Sequence, residues 1–193
     1  GVKVLAAALS PDQRWMAIGI YDGWSEIWSV ATGRRIHRLP HRVGGAFWFA
    51  WTSDSRRVVS AGWDMVARVW EASSGSLLAE CQGHTFPIWS VALSPDGSRL
   101  ATGSMDRTAK VWDTATGHEL LTLAGHKDDV HSVAWSADGR QIITGSDDQT
   151  MKIWEAAAPE DVKKWQREDE ESVWRIEKMR NERGQAEART NVR

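Results

Sequence analysis

Tryptophan recurs at a constant interval through most of this 193-residue chain, which contains 13 tryptophans but only one tyrosine. Four tryptophans are spaced 42 residues apart: Trp28, Trp70, Trp112 and Trp154. Four aspartates keep the same step: Asp22, Asp64, Asp106 and Asp148. A fixed period of this length indicates tandem copies of one supersecondary unit, each burying its apolar face by stacking on its neighbours. The chain must therefore fold as a repeat architecture.

The pattern within each unit favours β-strands over the helix pairs that repeats of similar length also form. Short segments rich in Val, Ile, Leu and Trp are separated by turn signals about every ten residues. Pro95-Asp96-Gly97 and Ala137-Asp138-Gly139 are such turns, because Pro or Asp suits the first positions and Gly tolerates positive φ. We predict an all-β fold, with four strands in each of the first three units and three strands in the fourth.

Four short motifs recur in the third unit: Gly83-His84, Ser-Pro-Asp-Gly at 94–97, Gly-Ser-Met-Asp-Arg-Thr at 103–108 and Val-Trp-Asp at 111–113. The fourth unit follows the same plan from Gly125-His126 onward. On these motifs, residues 3–155 resemble the WD40 family. The resemblance implies a WD40-type β-propeller of four blades in an incomplete ring. Its repeats span about 1–39, 40–82, 83–124 and 125–155, and 156–193 form a separate charged tail.

Proteins of this family hold a histidine, a strand hydroxyl, the turn aspartate and the tryptophan in one hydrogen-bonded set per blade. The resemblance implies two such sets: His84, Thr102, Asp106 and Trp112, and His126, Thr144, Asp148 and Trp154. Buried imidazole, hydroxyl and indole groups each need a partner, and a carboxylate is a suitable final acceptor. A catalytic triad is the alternative, but repetition of the set in successive blades favours a structural role.

Repeats one and two depart from this pattern. Ile18 stands at the hydroxyl position of the first repeat, and Arg42 stands at the histidine position of the second, one residue after His41. Two Asp–Trp pairs therefore remain without a matching histidine: Asp22–Trp28 and Asp64–Trp70. We expect the hydrogen-bonded set to be weak in these two repeats.

No phosphate-binding loop, paired-histidine metal motif or nucleophile elbow is present in the sequence. We predict neither enzymatic activity nor a bound cofactor or metal. The four histidines outside the sets are expected in loops or exposed: His37, His41, His118 and His131.

The formal net charge of −2 argues against a broad nucleic-acid or anionic-membrane surface, which needs an excess of Lys and Arg. Cys81 is the only cysteine, so an intrachain disulfide and a cysteine-based zinc site are excluded. This fits a reducing compartment, and we expect the cytoplasm. No apolar run approaches the length of a membrane span, and no secretory leader opens the sequence.

Propellers of this family bind partners on one rim, and the resemblance implies a rim face here. Its candidate residues precede the turn aspartates or begin the first strands: Tyr21, Phe47, Trp63, Trp89, Met105 and His131. Exposed aromatic side chains are typical of protein-interaction hot spots. The alternative is that Phe47 and Trp89 pack between blades. Three further tryptophans are expected in the core, because they alternate with these positions along the strand or lie deeper: Trp48, Trp51 and Trp135.

Four blades with no outer strand in the last leave open strand edges, which favour self-association. The start at Gly1 suggests a fragment of a longer protein, and closure by a four-plus-four dimer is the alternative. Residues 159–190 are predicted to be helical, because Pro159 suits a first helical turn and Glu160–Lys164 is a favourable i,i+4 pair. The helix either rests on the propeller edge or binds a partner.

These features predict a protein-interaction scaffold within a larger bacterial protein, which binds a protein or peptide partner and no nucleic acid or membrane. The stretch AAAPEDVKKWQREDEE at 156–171 is similar to extensions that follow the last blade in planctomycete-type WD40 proteins, including Ser/Thr kinases. The alternative function is therefore a regulatory or substrate-recruiting C-terminal module of such a kinase. The kinase motifs themselves are absent from this sequence.

Overall fold

The computed structural model describes residues 3–41 and 44–155, and the described part is built from β-strands and turns without any helix. The strands of the first two repeats are β1 Val4–Leu9, β2 Trp15–Ile20, β3 Trp24–Ser29, β4 Arg34–Pro40, β5 Ala46–Trp51, β6 Arg57–Gly62, β7 Val66–Glu71 and β8 Leu77–Gln82. Those of the last two are β9 Ile88–Leu93, β10 Arg99–Ser104, β11 Thr108–Asp113, β12 Glu119–Ala124, β13 Val130–Trp135, β14 Gln141–Ser146 and β15 Met151–Glu155.

The strands form four antiparallel sheets, and within each sheet the spatial order follows the chain. We call these sheets blades 1 to 4: β1–β4, β5–β8, β9–β12 and β13–β15. The sequence pattern of repeats three and four predicts strands at 88–93, 98–103, 108–113, 118–123, 130–135, 141–145 and 150–154. Each lies within one residue of the observed strand. The described part of blade 4 has three strands. The residues after 155 lie outside the described residues, so the absence of a fourth strand stays a prediction. The predicted helix over 159–190 lies outside the described residues.

Successive blades stack face to face, and each interface contains one buried apolar cluster. Between blades 2 and 3, Val59 and Val69 pack with Ile88, Leu100 and Trp112, all at most 1% exposed. The tryptophan of the later blade contributes to each interface: Trp70 between blades 1 and 2, Trp112 between 2 and 3, and Trp154 between 3 and 4. The 42-residue period therefore reflects one interface residue per blade, which stabilises the stack by burying apolar area.

Trp51 and Trp135 also join neighbouring blades, because each indole reaches across the interface to a backbone carbonyl. Trp51 Nε1 donates to the Ala8 carbonyl at 3.2 Å, and Trp135 Nε1 donates to the Ala92 carbonyl at 3.0 Å. Both side chains are half-buried and pack against the interface clusters. Trp48 was also predicted in the core, and that prediction is wrong, because its side chain is 44% exposed.

The two end blades each present an apolar face that no neighbouring blade covers among the described residues. On blade 1, Val4 and Leu9 are exposed, although Ile88 and Val130 are buried at the position of Val4 in later blades. On blade 4, Met151 and Ile153 are exposed. The equivalent Ala109 and Val111 of blade 3 are buried against blade 4.

Candidate interaction surface

Blades 3 and 4 each contain the hydrogen-bonded set implied by the resemblance. In blade 3, His84 Nδ1 donates to Asp106 Oδ2 at 2.6 Å, and His84 Nε2 lies 2.7 Å from Thr102 Oγ1. The Thr102 hydroxyl also accepts the indole N–H of Trp112 at 2.8 Å. Because that hydroxyl accepts from tryptophan, its own hydrogen can be donated to the imidazole, and every member of the set has a partner.

Blade 4 repeats the arrangement with the same contacts. His126 lies 2.9 Å from Asp148 Oδ2 and 2.7 Å from Thr144 Oγ1, and Trp154 donates to Thr144 at 2.9 Å. The connectivity is that of an Asp–His–hydroxyl triad, but the hydroxyls of Thr102 and Thr144 belong to residues with no exposed surface. A hydroxyl that neither water nor substrate reaches cannot act as a nucleophile, so the geometry supports a structural role.

The aspartates of the two sets are held ionised by their hydrogen bonds. Burial raises the pKa of Asp106, but bonds from His84 and Thr108 outweigh it and bring this pKa well below its usual range. The pKa of Asp148 is also lowered, mainly by the hydroxyl of Thr150 and then by the backbone N–H of Lys127. Each carboxylate therefore binds its turn as well as its histidine.

Blade 2 contains a different polar set. Trp70 Nε1 donates to Ser60 Oγ at 2.7 Å, so the strand hydroxyl is retained. His41 lies in a loop as predicted, but its side chain is buried, with its ring 6.2 Å from that of Trp70. The imidazole accepts a bond from Arg68 and donates to Ser25 of blade 1 at 2.9 Å. Burial, reinforced by Arg68 and opposed by Asp64, lowers the pKa of His41 to about 4.

Blade 1 replaces the missing hydroxyl with a carboxylate. Ile18 offers no acceptor, and the indole N–H of Trp28 donates instead to Glu26 Oε2 at 2.9 Å. Arg35 and Arg38 of β4 donate to the other oxygen of Glu26, at 2.8 and 3.3 Å. Although burial opposes it, these bonds lower the pKa of Glu26.

The charged residues at these cross-strand positions have the opposite signs in blades 2 and 3. At the position of Glu26, blade 3 carries Lys110, which donates to Glu119 at 2.8 Å, and blade 2 carries Arg68, which donates to Glu80 at 2.9 Å. In blade 1 the carboxylate is on the third strand, β3, and the cations are on the fourth, β4. In blades 2 and 3 the cation is on the third strand and the carboxylate is on the fourth. The favourable cross-strand pairing is kept in all three blades, although its direction changes.

Each inner strand carries a β-bulge at the same place. Pairing with the second strand shifts between Val4 and Ala6, Ala46 and Trp48, Ile88 and Ser90, and Val130 and Ser132. The extra residues are Leu5, Phe47, Trp89 and His131. Because a bulge leaves one residue unpaired and redirects its side chain, all four blades project a side chain at the same rim position.

Three of those side chains join Trp63 in one continuous row of rings, which we call the rim cluster: Phe47, Trp63, Trp89 and His131. The Phe47 and Trp63 rings meet edge to face at 5.7 Å, and the Trp63 and Trp89 rings do so at 5.8 Å. His131 stacks on Trp89 at 5.5 Å with an interplanar angle of 24°. Edge-to-face and stacked contacts at these distances are favourable and hold the rings in place.

The rim cluster is partly open to solvent. Trp63 is 42% exposed, His131 is exposed, and Phe47 and Trp89 are half-buried. Gly44 allows a loop to lie over Trp63, because a Cβ at Gly44 would come within 3.0 Å of the Trp63 Cβ. Phe47 and Trp89 therefore pack against each other and other rim side chains and are also partly accessible. Their role in binding a partner stays a prediction.

Two of the predicted rim residues lie apart from this row of rings. Tyr21 is 58% exposed, and its ring contacts the Lys3 ammonium at 5.2 Å. Met105 is half-buried, and its backbone N–H donates to the Pro87 carbonyl. Both lie on turns after second strands, so they belong to the same type of position as Trp63.

An apolar cleft of about 480 Å³ adjoins the rim cluster along the inner strands. On blade 1 the cleft is lined by Leu5 and the three alanines Ala6–Ala8. The rest of its lining is aromatic: Phe47, Trp48, Phe49 and Trp89. This cleft explains the exposure of Trp48. The bulge at Phe47 breaks the two-residue alternation from which the core position was predicted.

Acidic side chains flank the other end of the rim cluster. His131 Nε2 donates to Asp147 Oδ2 at 2.9 Å. Ligand atoms of Asp129, His131 and Asp147 lie within 4.8 Å of one another, so these three residues could hold a cation. The sequence had suggested no such cluster, because its members come from different turns.

In residues 3–41 and 44–155, no helix has the length and apolar content needed to cross a membrane.

Blades stacked in chain order, each built from one 42-residue unit and each with a bulged inner strand, define a repeat protein with propeller-type blades.

Comparison with protein families identifies which repeat this is. The model described as WD domain, G-beta repeat matches residues 33–71, 75–113 and 117–155, more than half of the chain, which therefore belongs to the WD40 family. Each match begins at the outer strand of one blade and ends with the third strand of the next. No match was found among curated proteins. WD40 repeats generally serve as protein-interaction scaffolds that bind protein partners, and they are typically not catalytic.

Proposed function

We propose that this chain is a protein-interaction module that binds a peptide segment of its partner at the rim cluster. The observation that carries the proposal is the row of partly exposed rings formed by Phe47, Trp63, Trp89 and His131. Aromatic side chains held rigidly at a surface lose little entropy on binding, which makes them effective anchors for a partner. The adjoining cleft offers space for an apolar side chain of the same partner.

A random library of 12-residue peptides, displayed on phage and selected against the full chain, tests this proposal. We expect the selected peptides to lose about 10- to 100-fold in affinity for Trp63→Ala, because truncation of a central aromatic residue typically has an effect of this size. Leu121→Ala is the matched control, since Leu121 is an exposed apolar residue on the outer strand β12. Selected peptides that bind wild type and Trp63→Ala equally well would show that the rim cluster is not the binding site.

We further propose that the four blades form part of a larger bacterial propeller protein. This proposal is supported by the exposed apolar faces of blades 1 and 4, which resemble the faces buried between the other blades. The alternative role as the regulatory part of a kinase rests on residues 156–171. They lie outside the described residues, and that role stays a prediction.

A further inference from the structure

The rim cluster ends in negative charge. His131 stacks on Trp89 and donates to Asp147, so the ring faces and the carboxylate adjoin directly. Asp129 brings a second carboxylate to the same place. A cation is attracted both by the negative face of an aromatic ring and by a carboxylate, so the two features favour the same kind of ligand.

The charge balance of the surrounding turns has the same sign. Segments 105–107, 127–131 and 147–149 contain two cations, Arg107 and Lys127. They contain five carboxylates: Asp106, Asp128, Asp129, Asp147 and Asp148. The two that belong to the buried sets are bound to His84 and His126. The remaining three carboxylates outnumber the two cations, which leaves this end of the rim acidic.

Trp89 offers a partner its ring and not its N–H. The indole N–H is buried and has no acceptor, and it is the one side-chain polar atom in that condition among the described residues. The side chain as a whole is half-buried, so the part of Trp89 that a ligand can reach is the ring. A ring surface next to carboxylates favours a cation.

We propose that the rim cluster binds an extended peptide that carries an arginine or lysine side chain. The cationic group lies between Asp147 and the rings of Trp63 and Trp89. This inference rests on the proposed function of the rim cluster and specifies the chemistry of the partner. A guanidinium suits the site well, because it can stack on a ring and donate to a carboxylate at once.

Four dye-labelled octapeptide pools test the proposal, with Arg, Lys, Glu or Leu fixed at the fourth position and uncharged residues randomised elsewhere. Binding to the full chain is measured by fluorescence anisotropy in buffer containing EDTA. We expect the Arg and Lys pools to bind about 10-fold more tightly than the Glu pool. Asp147→Asn and Asp129→Asn should each weaken the Arg pool by about 2- to 5-fold, as for exposed charge pairs, and leave the Leu pool unchanged.

Glu71→Gln is the control, because it removes a carboxylate at the far end of β7 from the rim. If the Leu pool binds as tightly as the Arg pool, and Trp63→Ala but not Asp147→Asn weakens it, the cation preference is wrong and the rim proposal stands. If Trp63→Ala weakens no pool, both proposals fail. Arg-pool binding that appears only with added Zn²⁺ would assign Asp129, His131 and Asp147 to a metal and overturn the inference.

Discussion

Replacing Thr102 with valine removes the hydroxyl at the centre of the blade 3 set while keeping the shape of the side chain. Two buried groups then lose their partner: the indole N–H of Trp112 and Nε2 of His84. Each buried group left unpaired costs about 1–3 kcal/mol, so Thr102→Val should lower the free energy of unfolding by about 2–5 kcal/mol. The residue is fully buried, so water does not offset this loss.

Urea unfolding followed by far-ultraviolet circular dichroism measures this loss. Thr85→Val is the control, since Thr85 is exposed in the loop before β9 and its replacement should change the free energy of unfolding by less than about 0.5 kcal/mol. Thr144→Val should cost less than Thr102→Val, because Trp154 at its other side is only half-buried. Equal unfolding midpoints for Thr102→Val and Thr85→Val would refute the structural interpretation of the set.

Three further measurements test other features. The pKa of His41 is lower in the folded chain than its unfolded value of 6.5, so the folded state binds fewer protons between these values and stability falls as pH drops below 6.5. The free energy of unfolding measured in urea should fall by about 2 kcal/mol by pH 5. If His41→Asn loses the same amount of stability over this pH range, the loss does not come from the His41 imidazole. Gln13→Gly should raise the melting temperature by about 2–4 °C, because Gln13 has φ of 60° where Gly97 and Gly139 stand in later blades; an unchanged melting temperature would contradict it. Sedimentation of the full chain should show association that Ile153→Lys weakens, and a wild type that stays monomeric at every concentration would contradict it.

The strands of blades 3 and 4 could be predicted closely because their turns carry strong local signals. The Asp–Gly turns and the Gly-His motif mark where each strand begins and ends, and local turn chemistry needs no knowledge of tertiary contacts. The members of the two buried sets could also be named in advance, because the resemblance of both repeats to the WD40 family implies them.

Blade 1 shows where sequence reasoning stops. Ile18 signals that Trp28 needs another acceptor, and Glu26 lies two residues away on the same strand. The two arginines of β4 that bind the Glu26 carboxylate, Arg35 and Arg38, are identified only by the register between β3 and β4. Such cross-strand partners depend on pairing in three dimensions, which no local motif encodes.

The residues of the rim cluster could be predicted only in part, because their contacts also depend on the three-dimensional pairing of the strands. Positions at the start of each inner strand could be chosen from the repeat, but alternation along a strand placed Trp48 in the core. The bulge that overturns this assignment has no clear sequence signal in a single repeat. The unpaired N–H of Trp89 and the proximity of Asp129 to Asp147 likewise emerge only from the folded turns.

The recurring bulge separates the part of each unit that is free to vary from the part that must be kept. Leu5, Phe47, Trp89 and His131 occupy one equivalent position yet differ in size and polarity. In blades 3 and 4 the buried hydroxyl, the histidine and the tryptophan are the same, although Trp89 and His131 differ. Each duplication of the 42-residue unit therefore adds one more display position at no cost to the architecture, so new recognition can evolve by single substitutions.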